Sequence, residues 1–124
     1  MSFFGKRLGR KGEADAHKFL RSKGFAIVET NYATRNFEID IIAHDKDTLC
    51  FLEVKARTGV KKGLPREAVS SAKQKKIIMG ATYYLKKMKV VNQRVRFDVV
   101  ELIYNEDTSF PPEITLIKNA FSGA

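Results

Sequence analysis

FEIDIIAHDKDTLCFLEVKAR, residues 37–57, contains two apolar runs joined by the charged triplet Asp45, Lys46 and Asp47. Phe37 to His44 and Thr48 to Arg57 are rich in β-branched and aromatic residues, which predicts two strands with the triplet as their turn. If a two-residue loop at Lys46 and Asp47 closes the hairpin, Asp40 falls opposite Glu53, with β-carbons ~5 Å apart. A three-residue turn breaks that register. Side chains alternate across a strand, so Glu38, Asp40 and Ile42 are expected on one face, opposite Phe37, Ile39, Ile41 and Ala43. By the same rule Glu53 and Lys55 share a face with Leu49 and Phe51, leaving Cys50, Leu52 and Val54 on the other.

Upstream of this hairpin, FAIVETNY (Phe25 to Tyr32) reads as another strand. Gly9 to Lys23 reads as a helix with Ala16, Phe19 and Leu20 at helical spacing and Gly24 as its stop. Downstream, Thr58 to Pro65 is a polar loop, and a short helical turn is expected after Pro65. Ser70 or Ser71 can cap a helix running to about Lys89, with an apolar stripe of Ile77, Ile78, Ala81, Leu85 and Met88. Val95 to Tyr104 is a fourth strand, and Ile114 to Ile117, set off by Pro111 and Pro112, a weaker fifth. The order αβββαββ predicts an α/β sandwich. It is expected to form a single domain over residues 1–124, with 1–8 and 122–124 as flexible ends.

A chain of 124 residues with 44% apolar and 30% charged residues can bury a core without staples, which excludes collagen, disordered and disulfide-scaffold classes. The single cysteine, Cys50, forms no intramolecular bridge and no thiolate zinc cluster, and nothing resembles a secretory signal. A reducing, cytoplasmic compartment is therefore expected. The longest strongly apolar uncharged run, Ile77 to Leu85, falls far short of the ~20 residues that cross a bilayer, so no membrane partner is expected. The net charge of +9 is unevenly spread. Residues 1–25 carry +5 and residues 55–89 carry +10, whereas residues 26–54 carry −4 and residues 90–124 carry −2. An acidic centre between basic flanks suits a polyanionic partner, although a solvated lysine-rich face explains the charge alone equally well.

Two carboxylates as close as Asp40 and Glu53 repel one another, and the pair is tolerable when one is protonated or a divalent cation lies between them. Oxygen ligands suit Mg2+ or Mn2+, and the Lys55 ammonium can orient water or neutralise developing charge, which is the inventory of phosphodiester hydrolysis. The plain alternative is an ordinary Glu53–Lys55 ion pair on a wet sheet face. Glu13 and Gln74 each stand at one end of a helix's apolar stripe and would lean toward the sheet. A polar group buried there costs roughly 1–3 kcal/mol unless paired, so each should find a partner, which the metal site would supply. His17 and His44 have no paired nucleophile and receive no role, and Cys50 reads as a core residue. Gly59 to Gly63 lacks phosphate-loop spacing, so no nucleotide cofactor is implied.

The spacing of Asp40 and then Glu53-Val54-Lys55 on the next strand resembles the PD-(D/E)xK nuclease superfamily. More closely, the chain resembles the YraN-like group, which is similar to archaeal Holliday-junction resolvases. The resemblance runs from about Gly9 to Phe121 through GRKGE with Glu13, FEID with Asp40, LCFLEVKAR with Glu53 and Lys55, AVSSAKQKK with Gln74, RFDVV with Asp98, and the closing NAF. It implies a restriction-endonuclease-like sandwich in which helices flank a central mixed sheet. It also implies catalytic roles for Asp40, Glu53, Lys55, Glu13 and Gln74, with Asp40, Glu53 and Glu13 toward the metal and Lys55 as the catalytic lysine. One departure is Phe37, which stands where the family usually has glycine. The function expected is Mg2+- or Mn2+-dependent endonucleolytic hydrolysis of branched or otherwise structured DNA, without sequence specificity and in a possible homodimer. The nucleic-acid contacts expected are Arg7, Arg10, Lys11, Arg35, Arg57, Lys61, Lys62 and Lys73. The alternatives are a catalytically silent nucleic-acid-binding module, or a protein-interaction subunit using Phe3, Phe4 and the segment Phe110 to Phe121.

Overall fold

The computed structural model describes residues 3–59, 69–107 and 109–123, with side chains from residue 8 onward. Its strands are β1 (Ala26–Ala33), β2 (Glu38–Asp45), β3 (Thr48–Thr58), β4 (Arg94–Tyr104) and β5 (Glu113–Phe121). They form one sheet in chain order. Neighbours are antiparallel except β3 and β4, which run parallel because the chain crosses over between them through α2 (Ser71–Lys87). The first helix, α1 (Phe3–Ser22), covers one face of this mixed sheet and α2 the other. The expected αβββαββ sandwich is the observed fold, and it has the restriction-endonuclease-like layering.

Each face has its own core. On one side Ala16 and Leu20 of α1 pack with Ile41, Ala43, Cys50, Leu52, Val100 and Leu102. On the other, Ile77, Ala81 and Tyr84 of α2 pack with Ile39, Ile42, Leu49, Phe51, Phe97 and Val99. Phe51, Phe97 and Phe121 stack across three adjacent strands with centroids 5.8 and 5.2 Å apart, and Tyr84 meets Phe51 edge-on at 5.9 Å. Such ring pairs add about 0.5–1.5 kcal/mol each beyond area burial. Among the described residues, no helix is long and apolar enough to cross a membrane.

Several boundaries differ from expectation for local reasons. The first helix begins at Phe3 rather than about Gly9, so residues 3–8, expected to be loose, are helical. Its glycines suggest weakness in sequence, yet Gly12 allows a close approach: a Cβ there would lie 2.5 Å from the Ala56 Cβ on β3. Ser70 caps α2 by accepting from the Lys73 N–H, and the helix ends at Lys87. Its buried face is Ile77, Gly80, Ala81 and Tyr84, with Met88 exposed instead of packed. Gly80 turns the helix onto β2, since a Cβ there would meet Phe37 at 2.9 Å and Ile39 at 3.1 Å. The fifth strand outruns Ile114 to Ile117 because its pairing with β4 absorbs a register shift between Phe97 and Val99, where the Asn119 N–H donates to Asp98 Oδ1 at 2.8 Å. The helical turn expected after Pro65 lies outside the described residues, as do Lys61, Lys62 and the Arg7, Phe3 and Phe4 side chains.

Candidate functional site

The hairpin forms the two-residue loop that the register argument required. Asp45 pairs with Thr48, Lys46 takes a left-handed φ of 56°, and the ladder runs to Ile41 opposite Leu52. There the regular pairing ends. Instead of continuing as a backbone bond to Glu53, Asp40 accepts the Val54 N–H at 2.8 Å through its own Oδ2. Strict alternation also fails in β2. Ile39 and Ile42 both pack toward α2, whereas Ile41 and Ala43 pack toward α1, so Ile39 does not share the Ile41 face as expected. The break lets Asp40 line a cleft beside α1 while its carboxyl still reaches β3.

Glu53 is only 5% exposed, and its Oε2 is buried without a hydrogen-bond partner among the described residues. Its Oε1 lies 3.9 Å from Lys55 Nζ and 3.8 Å from Lys73 Nζ, too far for close hydrogen bonds but near enough for charge attraction. Burial, and then the negative charge of Asp40, push the Glu53 carboxyl up to about 7 against the pull of both lysines. Burial likewise raises Asp40, opposed by the Val54 N–H. A proton on Glu53 can be shared with Asp40, and a cation beside both would answer the same electrostatic demand. The buried acceptor without a donor, next to a second carboxylate, therefore fits a hard, oxygen-seeking divalent ion.

A cleft of about 230 Å³ opens on the α1 side, lined by Arg10, Glu13, His17, Thr30, Asn31 and Asp40 among others. Glu13 thus leans toward the sheet as its place on the helix suggested. Burial and then the Asp40 charge raise its pKa, while a hydrogen bond from Asn31 opposes them. Among the described residues, no three His, Cys, Asp or Glu side chains close into a metal-ligand cluster, so the expected set of Asp40, Glu53 and Glu13 is open. Gln74 finds a different partner from the one expected. Its Nε2 donates to the Val69 carbonyl at 3.0 Å, tying the start of α2 to the segment before it.

The remaining expected cations divide into two groups. Arg57 pairs with fully buried Glu101 and so serves the fold, whereas Lys11 makes an exposed i,i+4 pair with Asp15 at 3.6 Å. Arg10 and Arg35 are exposed, Arg10 at the cleft itself. Phe37, standing where the resemblance leads one to expect glycine, packs on Tyr83 with ring centroids 5.8 Å apart and over Gly80. It therefore points to the α2 side, away from the cleft. Asp98 is wholly buried and is held by Arg96 Nε at 2.8 Å, which makes it a structural anchor. Cys50 is buried as expected, and burial pushes its thiol up to about 12. Sequence reasoning missed Asn31, Thr30 and His17 as cleft residues. The available signal was Asn31, a poor strand former inside an otherwise strand-forming run.

Residues 12–102 match the profile of Uncharacterised protein family UPF0102. The chain belongs to that family. A UPF0102 protein from Desulforapulum autotrophicum is 54% identical over 116 residues, covering 94% of this chain and 93% of its own. One from Chlorobium phaeobacteroides is 49% identical, covering 88% and 86%, and one from Clostridium tetani is 44% identical, covering 98% of both. UPF0102 is the YraN family, a member of the PD-(D/E)xK-like superfamily, so the resemblance drawn from the motifs holds at the level of family. Phe37 is accommodated within this UPF0102 fold by the missing side chain of Gly80.

Proposed function

We propose that this UPF0102 protein is a metal-dependent endonuclease that hydrolyses phosphodiester bonds in branched or structured DNA. The observation that carries the reading is the close Asp40–Glu53 pair, in which the buried Glu53 Oε2 has no donor from the described residues beyond a proton shared with Asp40, while Oε1 faces the Lys55 and Lys73 ammonium groups. Asp40 and Glu53 are the residues that would hold Mg2+ or Mn2+, with Glu13 approaching from the cleft. Magnesium commonly uses only one or two protein carboxylates and takes its other ligands from water and phosphate, so an open set suits it. The ion's contribution is Lewis acidity toward a phosphoryl oxygen and a lowered pKa for bound water.

The chain's own groups do the rest. Lys55 Nζ, beside Glu53, can orient the attacking water and offset charge developing on the phosphate. Lys73 at the start of α2 adds positive charge on the same side, and exposed Arg10 offers the DNA backbone a contact at the cleft. Val54 donates its N–H to Asp40 and so fixes that carboxylate's direction. The test uses labelled linear, flapped and four-way DNA with Mg2+ or Mn2+. Cleavage is expected to disappear in Asp40→Asn and Glu53→Gln, while binding in EDTA persists or tightens as a carboxylate facing phosphate is neutralised. Cleavage surviving Asp40→Asn at the original rate would overturn the assignment, as would a wild type that binds DNA but cleaves none of the three.

A further inference from the structure

A non-glycine residue in the middle of a strand rarely takes positive φ, yet Asn31 in β1 has φ of 50°. The β1–β2 ladder pairs Thr30 with Ile41 and Tyr32 with Ile39, so Asn31 is the β1 residue facing Asp40, and no paired contact joins them. The β2–β3 ladder also stops at Asp40. Among the described residues Asp40 is therefore without a paired backbone partner on either side, although the β1–β2 register continues unchanged across it. Asn119 offers a comparison within the same molecule. It too has a left-handed φ, 55°, at an interrupted ladder, but its backbone N–H closes the gap on a buried aspartate, Asp98. At Asn31 no backbone bond of that kind is made among the described residues, and its side chain lies instead in the cleft that Glu13 of α1 lines with Asp40. Asn31 is exposed and lines the cleft with Glu13 and Asp40, so its carboxamide is not explained by core packing.

We propose that Asn31 is a positioning residue: its left-handed backbone interrupts the β1–β2 pairing beside Asp40, and its carboxamide holds the Glu13 carboxylate toward the cleft that all three line. The inference rests on the reading that Asp40 and Glu53 hold a divalent ion with Glu13 beside them, and it adds the group that orders Glu13. Asparagine suits both tasks, since among non-glycine residues it tolerates this φ well and its amide donates to a carboxylate. Partners that orient metal ligands are commonly worth 10–100-fold in affinity.

The experiment measures Mn2+ affinity by calorimetry on the full chain for wild type, Asn31→Gly, Glu13→Gln and the double variant, with metal-free melting curves for each. Glycine keeps the left-handed backbone and removes only the carboxamide. Asn31→Gly is expected to weaken Mn2+ binding about tenfold with the metal-free melting temperature unchanged. In the double variant, removing the carboxamide should add nothing to the loss from Glu13→Gln, because Asn31 acts through that side chain. Wild-type affinity in Asn31→Gly, or losses that simply add in the double variant, would overturn the inference while leaving the metal reading intact. Failure of Asn31→Gly to fold would overturn it too, by showing that the carboxamide supports the fold and not the ligand. A wild type that binds no Mn2+ would remove the metal reading and this inference with it.

Discussion

Glu53 shows most directly how burial becomes chemistry. Its carboxyl titrates near 7 in the folded protein against an ordinary value of 4.5, so between those pH values the folded chain holds a proton that the unfolded chain has released. The raised value means that this contribution to stability is complete below about pH 4.5 and is lost as pH rises through about 7. In EDTA, Glu53→Gln is expected to flatten that slope and to exceed wild type at about pH 8 by on the order of 2 kcal/mol, with no advantage at about pH 4. Melting curves across pH check this, and a difference that stays constant with pH would contradict it. A second prediction concerns Arg57, whose basic character suggests DNA contact in sequence but whose guanidinium pairs with wholly buried Glu101. Arg57→Ala leaves a buried charge without that cation and is expected to cost about 3–5 kcal/mol, measurable by urea unfolding, with little change in DNA affinity per folded molecule. Unchanged stability with weaker binding would return Arg57 to the nucleic-acid surface.

At the scale of elements, contacts between layers override local preference. Gly12 is a poor helix residue, and alanine there would ordinarily help α1 by up to about 1 kcal/mol. A Cβ at that position, however, would lie 2.5 Å from the Ala56 Cβ, so helix and sheet must separate. Gly12→Ala is therefore expected to destabilise the protein by about 1–3 kcal/mol, the usual cost of overpacking. A rise in melting temperature would show that propensity wins. The same contest hides in β2. Period-two alternation puts Ile39 with Ile41, but Phe37 and Ile39 pack over Gly80 on α2 while Ile41 faces α1, so alternation is broken at Asp40. Element order, the hairpin loop and the Ser70 cap were legible because each depends on neighbours in sequence. The strand break was not, because which helix Phe37 and Ile39 pack against is absent from the local alternation.

For the whole molecule, the basic flanks and acidic centre predict how it would meet DNA. Binding in EDTA should weaken steeply with salt, with a log–log slope of about −0.9 for each phosphate neutralised on duplex DNA. It should also vary little with sequence at fixed DNA shape. Fluorescence anisotropy across a salt series checks both, and an affinity unchanged from low to moderate salt would contradict the polyanion reading. Arg10→Gln at the cleft is expected to reduce that slope by about one phosphate. Lys11→Gln should change it less, since Lys11 already pairs with Asp15.

The sequence by itself determined the αβββαββ order, the placement of Lys55 beside Glu53 and the family resemblance, and it set the two-residue turn as the condition for Asp40 to come near Glu53. Each follows from short-range periodicity, turn chemistry or the order of motifs along the chain. Only the tertiary structure decided that Glu53 is buried deeply enough to rise to about 7, that Gln74 serves the Val69 carbonyl, and that Arg57 belongs to Glu101. It alone brought Asn31 to Glu13 and Asp40. The physical reason is that desolvation and partner choice depend on what the opposite layer brings within a few ångströms, and a linear pattern does not contain that distance.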